Sequence, residues 1–143
     1  MKKIVIRPVQ LQDAMAIQSL LSVLGYPLEL ESIELKLQQL LIDTRAAQWV
    51  VCVEDQVSGF ISLYLIPQLG VLGDFASINF LAIDPRQQRL GLGTKLLHHA
   101  EAYVQEQRCD RMILHCDQSR LLAHTFYSKY GFIESPKYFR KKL

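Results

Sequence analysis

The sequence predicts an α/β protein: a mixed, mostly antiparallel sheet with one parallel β-α-β unit and helices on both faces. Three observations predict it. Short apolar runs rich in β-branched residues alternate with segments of helical apolar spacing, in the order β-α-α-β-β-β-α-β-α-β. Two of the runs, 48–54 and 57–66, flank the turn Asp55-Gln56 as a hairpin, which makes antiparallel pairs. A strand–helix–strand passage over residues 78–116 calls for a parallel, right-handed crossover. The chain has 143 residues, half of them hydrophobic, so residues 1–143 form one domain with a core large enough to need no staples.

The elements follow in order. Residues 3–7 read as a strand that Pro8 ends. Residues 11–24 put Leu11, Ala14, Met15, Ile17, Leu20, Leu21 and Leu24 on one broad helical face, stopped by Gly25 and Pro27. Leu30, Ile33, Leu37, Leu40 and Leu41 repeat the pattern over residues 29–42. After the hairpin, residues 67–73 hold one proline and two glycines and make a loop. The next strand is Asp74–Ile83, stopped by Asp84-Pro85. From Leu92 a helical stripe of Leu92, Leu96, Leu97, Ala100, Tyr103 and Val104 runs to about Gln107. Residues 112–116 form a short apolar strand, and residues 120–130 a helix that Gly131 caps. Residues 132–134 and 138–142 are expected as final strands around Pro136.

Composition excludes several classes. Sixteen basic and fourteen acidic residues leave a net charge of +2, too balanced for a nucleic-acid binder. No apolar run approaches the ~18 residues of a membrane span, and the start lacks a secretory signal. Cys52, Cys109 and Cys116 are odd in number and without Cys-x-x-Cys spacing, which suits reduced thiols in a cytoplasmic protein. Neighbouring His98 and His99 point about 100° apart on a helix, and His115 and Cys116 alternate across a strand. No metal site is expected.

The chemistry lies in two stretches. Gly91 and Gly93 fall where the helix begins, after a strand end. There the first backbone N–H groups lack partners and the helix dipole is positive. Residues without side chains let an anion approach those groups, and Arg86, Arg89 and Lys95 add positive charge. A tight strand-to-helix turn is the alternative reading of the glycines alone. The dinucleotide fingerprint would need a third glycine where Leu96 stands, and no P-loop string is present. The second stretch is Ala123-x-x-Phe126-Tyr127, followed by Gly131-Phe132, with Phe126 and Tyr130 placed as packing residues.

Gln88-Arg89-Leu90-Gly91-Leu92-Gly93 resembles the Gln/Arg-x-x-Gly-x-Gly/Ala signature of the GNAT superfamily of N-acetyltransferases, and the Phe126-Tyr127 run resembles that family's later motif. The element order is similar over nearly the whole chain. The resemblance implies a GNAT fold with acetyl-CoA as cosubstrate. It implies that the loop from Gln88 to Gly93, with Thr94 and Arg120, holds the pyrophosphate side. It implies that backbone groups of Leu81, Ala82 and Ile83 align the pantetheine. It also implies that Tyr127 supports the departing thiolate. The reaction would be direct acyl transfer to a primary amine of a small molecule or exposed peptide. Such an amine, with a pKa near ~10.4, must lose a proton. Many family members carry a glutamate on the preceding strand. Here the same-face residues are Ser77 and Asn79, and Arg120 replaces the usual asparagine. Asn79 is therefore the nearest catalytic position, able to hold a water, with Asp74, Asp117 and His124 as further candidates for the base. The acceptor pocket is expected among residues 25–35 and 67–75, where Glu29, Glu31 and Asp74 could attract a cation. A monomer or homodimer is expected, with neither nucleic acid nor membrane as partner. The rival readings are a non-catalytic acyl-CoA sensor on the same fold and a generic α/β interaction domain.

Overall fold

The computed structural model describes residues 1–116, 120–135 and 139–143. Five strands, β1 (Ile4–Pro8), β2 (Ala46–Val53), β3 (Gln56–Ile66), β4 (Asp74–Ile83) and β5 (Cys109–Leu114), form one sheet in chain order. Every neighbouring pair is antiparallel except β4–β5, which is parallel. The β2–β3 hairpin turns through Glu54 and Asp55, both in the left-handed region at φ 50 and 66. That is one residue earlier than the expected Asp55-Gln56. The turn conformation is set by positive φ, which aspartate tolerates better than β-branched residues do.

Helices cover both faces. A short 3-10 turn at Leu11–Asp13 leads into α1 (Ala14–Val23), and α2 is Leu30–Leu41. Ile17, Leu20 and Leu21 of α1, with Ile33 and Leu37 of α2, pack on Val50, Cys52, Phe60 and Ala82 of the sheet. On the opposite face, α3 (Leu92–Glu106) buries Leu92, Leu96, Leu97, Ala100 and Val104 against Val51, Ile61, Leu63 and Ile78. Phe126, Tyr127 and Tyr130 of α4 (Leu121–Tyr130) join that second cluster. The alternation of β2, with Val51 and Val53 on one side and Val50 and Cys52 on the other, is what lets one sheet carry two cores.

A β-bulge interrupts β4. Ser62 pairs with Phe80 and Leu63 with Ile78, so Asn79 has no direct partner on β3. The extra residue shifts the alternation: Ala76 and Ile78 face α3, whereas Phe80 and Ala82 face α1. β4 and β5 also part at this level. Their last pair is Ile78 with Leu114, yet β4 continues along β3 to Ile83.

Three expectations change. β5 spans Cys109–Leu114 rather than 112–116, so Cys116 lies beyond the strand and Cys109 opens it. The polar start Cys109-Asp110-Arg111 hid the strand, which pairs with Asp74–Ile78 regardless of side-chain character. Residues 132–135 form no strand, and neither do residues 139–143. The segment has the β-forming residues but makes no ladder with the sheet, and without a partner a strand has no hydrogen bonds to hold it. Pro136, Lys137 and Tyr138 lie outside the described residues, as does Asp117.

Candidate active site

A cleft of about 500 Å³ opens where β4 leaves β5 and meets the start of α3. Three segments form most of it, and the end of α1 completes it. Leu81, Ala82 and Ile83 supply one wall, with the backbone edge of β4 that β5 no longer covers. The turn after β4 supplies the floor. Asp84 ends the strand by donating its N–H to the Ser58 carbonyl at 2.8 Å, and its carboxylate accepts the Arg86 N–H at 2.9 Å. That capping starts a 3-10 turn at Pro85–Gln87, and the chain then runs through Gln88, Arg89, Gly91, Gly93 and Thr94 along the cleft. α4 closes the far side with Arg120, Ala123, Phe126 and Tyr127.

The two glycines have different tasks. Gly91 is the residue before α3, at φ 68, and a Cβ there would meet nothing within 4 Å. Its backbone therefore takes a left-handed turn that glycine makes without strain, and it leaves open space in front of the first N–H groups of a fifteen-residue helix. An anion fits that arrangement. Gly93 sits inside α3, where a Cβ would lie 3.0 Å from Cζ of Phe126. Its missing side chain lets α4 close on α3. Arg89 holds φ 71 without being glycine, a strained conformation that belongs to the same turn.

The charges differ from the expected ring. Arg86 is bound to Asp84 through paired contacts at 2.9 to 3.3 Å and points into solvent, and neither it nor Lys95 lines the cleft. The Arg86 hydrogen bonds hold the Asp84 carboxyl below the usual carboxylate range. The cations at the cleft are Arg89 and Arg120. Tyr127 stands edge-on to Phe126 and Phe132, with centroids 5.3 and 5.7 Å away. Burial pushes its phenol above the ordinary value. The Cys116 thiol adds to this and Arg120 opposes it, so the hydroxyl keeps its proton at neutral pH.

Two expected residues lie elsewhere. Leu90 is half-buried and packs against the α3 core rather than lining the cleft. Asn79 is exposed on the bulge, where its Oδ1 accepts a hydrogen bond from Ser77 Oγ at 2.9 Å. Val23 and Leu24 at the end of α1, with Pro85, Gln87, Ala123 and Phe126, join the lining without having been singled out as binding positions. An apolar helix end just before Gly25 was the available signal for Val23 and Leu24. Among the described residues, no three His, Cys, Asp or Glu side chains gather as a metal site, and no helix is long and apolar enough to cross a membrane.

The family model "Acetyltransferase (GNAT) family" matches residues 14–132, a span that runs from the start of α1 past α4. The chain belongs to the GNAT acetyltransferase family. Solved structures agree on the GNAT fold. A transcriptional regulator from Bacillus halodurans C-125 superposes with a TM-score of 0.90 at 22% identity, over 99% of this chain and 100% of that one. An aminoglycoside N-acetyltransferase in complex with CoA gives a TM-score of 0.88 at 12% identity, over 100% of this chain and 97% of that one. An aminoglycoside acetyltransferase from an uncultured soil metagenomic sample, in complex with trehalose, gives 0.81 at 22% identity, over 98% and 96%. No match was found among curated proteins.

Proposed function

We propose that residues 1–143 form a single N-acetyltransferase domain that moves an acetyl group from acetyl-CoA directly to a primary amine of a small molecule. The observation that carries this reading is the continuity of the cleft. An uncovered strand edge at Leu81, Ala82 and Ile83 leads without a break to the open N-terminus of α3 behind Gly91. One end offers backbone hydrogen bonds to an extended chain carrying amides, and the other offers N–H groups and Arg89 to a diphosphate. Arg120 adds charge from the opposite side. Acetyl-CoA has that sequence of chemical groups, and the family membership makes an acyl-CoA the expected cosubstrate.

The residues then divide the work. The β4 edge orients the thioester, and a backbone N–H at the bulge polarises its carbonyl. The amine nitrogen attacks the carbonyl carbon, the C–S bond breaks, and Tyr127 donates its proton to the departing sulfur. A water held beside Asn79 relays the amine's protons out to solvent, because an amide cannot act as the base itself, and Tyr127 regains its proton from the same solvent.

The rival is an acyl-CoA sensor that transfers nothing. The absence of a carboxylate at Ser77 and Asn79 favours it, and one fold neighbour bears the name transcriptional regulator. The test has two parts. Acetyl-CoA at 100 times its dissociation constant should stabilise the protein by about 2.7 kcal/mol in thermal unfolding. Gly91→Glu should remove that shift by placing bulk and negative charge in the cradle. An amine panel read by CoA release then separates enzyme from sensor. Release with an acceptor supports the transferase, and tight binding without release on any amine supports the sensor.

A further inference from the structure

Unlike α1, α2 and α3, helix α4 buries none of its residues completely. Leu121 and Leu122 at its start are exposed, and Phe126, Tyr127 and Tyr130 are half-buried. A helix with so little buried surface is placed by a few contacts rather than by a core. Yet α4 carries Tyr127, and a misplacement of about 1 Å in a reacting group can lower a rate 10²-fold.

Phe126 supplies the closest of those contacts. Its ring points its far edge at Gly93 in the first turn of α3. A Cβ on Gly93 would lie 3.0 Å from Cζ, 3.5 Å from Cε1 and 3.7 Å from Cε2. Carbon atoms in contact rest about 3.5 to 4.0 Å apart, so the ring fills the space a side chain would need. Gly93 keeps a φ outside the left-handed region, in contrast to Gly91 at φ 68. Glycine at position 93 is therefore a matter of room, not of backbone conformation. The same ring touches Tyr127 edge-on, with centroids 5.3 Å apart and planes at 60°. On its other side Tyr127 meets Phe132 at 5.7 Å, and the Phe132 N–H donates to the Tyr127 carbonyl at 3.0 Å. Tyr127 thus stands between two rings, and Phe126 is the one keyed into the helix that forms the cradle. A second contact between the helices, Tyr130 Oη to His98 Nδ1 at 3.4 Å, lies on the exposed side of α3.

We propose that Phe126, seated in the notch left by Gly93, is the positioning residue that holds the Tyr127 hydroxyl at the reacting sulfur. The proposal rests on the transferase reading above. Through this one ring the cradle for the diphosphate and the donor for the thiolate are set at a fixed spacing, although they belong to different helices.

The test uses the full chain, acetyl-CoA and an amine that releases CoA with the wild type. Gly93→Ala places a methyl group against Cζ and moves the ring and Tyr127 outward. Its kcat should fall about tenfold, a part of what a 1 Å misplacement does, with KM for the amine and the acetyl-CoA melting shift close to wild type. Its Tm should stay near wild type, because the better helix propensity of alanine offsets the disturbed contact. Phe126→Leu shortens the side chain that meets the methyl group. Gly93→Ala combined with Phe126→Leu should therefore regain most of the kcat that Gly93→Ala loses, a non-additive result that unconnected sites do not give. In a Tyr127→Phe background Gly93→Ala should lower kcat no further, because it acts through the missing hydroxyl. Wild-type kcat in Gly93→Ala overturns the positioning role. So do independent losses in the combined variant, an undiminished loss in the Tyr127→Phe background, or a fallen Tm. A lost acetyl-CoA shift in Gly93→Ala also overturns it, by placing the damage in the cradle. In each of these outcomes the wild type still turns over and the transferase reading stands. A wild type that releases CoA with no amine of the panel overturns that reading and the seat with it.

Discussion

Tyr127 keeps its proton because burial disfavours the phenolate, and the Arg120 guanidinium opposes that effect without reversing it. A donor kept neutral at working pH is what a leaving thiolate needs. Tyr127→Phe retains the ring contacts with Phe126 and Phe132 and removes only the hydroxyl. Its kcat should fall by roughly 10²-fold, the low end for general acid catalysis, with KM and acetyl-CoA affinity close to wild type. Turnover equal to wild type would make Tyr127 a packing residue. Gly91 makes a different kind of claim, about backbone. At φ 68, alanine should cost about 1 kcal/mol in denaturant unfolding and asparagine less, since asparagine tolerates the left-handed region. Equal stability for the alanine and asparagine variants would show that the turn relaxes to another conformation.

At the scale of elements, β1 and the start of α1 are tied by one ion pair. Arg7 Nη1 and Nη2 donate to the two Asp13 oxygens at 2.8 and 2.9 Å, and the Gln10 N–H adds a third contact at 2.8 Å. Burial pushes the Asp13 carboxyl up, but these bonds prevail and hold it below the usual value. A carboxyl lowered in the folded state stabilises above its unfolded pKa, near ~3.9, and loses that contribution as pH falls through the folded value. Asp13→Asn should therefore cost about 2 kcal/mol at neutral pH, and its deficit against wild type should shrink in acid below about pH 4. A deficit independent of pH would assign the loss to packing. The sequence shows why some elements were legible and others were not. β4 was readable to the residue because an apolar run ends at Asp84-Pro85, and α3 because its stripe returns every three or four residues. β5 was not, because a strand on a parallel edge is held by backbone pairing that Cys109 and Arg111 make with Asp74 and Phe75 as well as valine would, and the register skips Asp110 altogether. The bulge at Asn79 left no pattern at all: a skipped partner is a property of two strands, and neither announces it alone. For the same reason the cleft's loop was visible in Gly91, while Val23 and Leu24 enter it only through the way α1 lies on the sheet.

For the whole molecule, both cores meet in one sheet, so damage on one side reaches the other. Leu96 is fully buried at the centre of the α3 face. Leu96→Ala should cost about 3 kcal/mol by cavity formation and should weaken acetyl-CoA binding only through the unfolded fraction. A loss of affinity in the folded protein would instead show that α3 shifts as a body. The parting of β4 from β5 has a consequence of another kind. Residues 79–83 read Asn-Phe-Leu-Ala-Ile, an apolar stretch whose outer backbone edge has no strand partner among the described residues. That is the description of a sticky edge, the sort that invites a stranger's strand. On the transferase reading, the cosubstrate is also a cap for this edge, and each turnover briefly takes the cap away. The protein starved of acetyl-CoA should then aggregate faster at equal temperature and equal unfolded fraction, with light scattering suppressed by CoA itself as well as by the acetylated form. An enzyme of this shape would be protected from self-association by the supply of its own fuel.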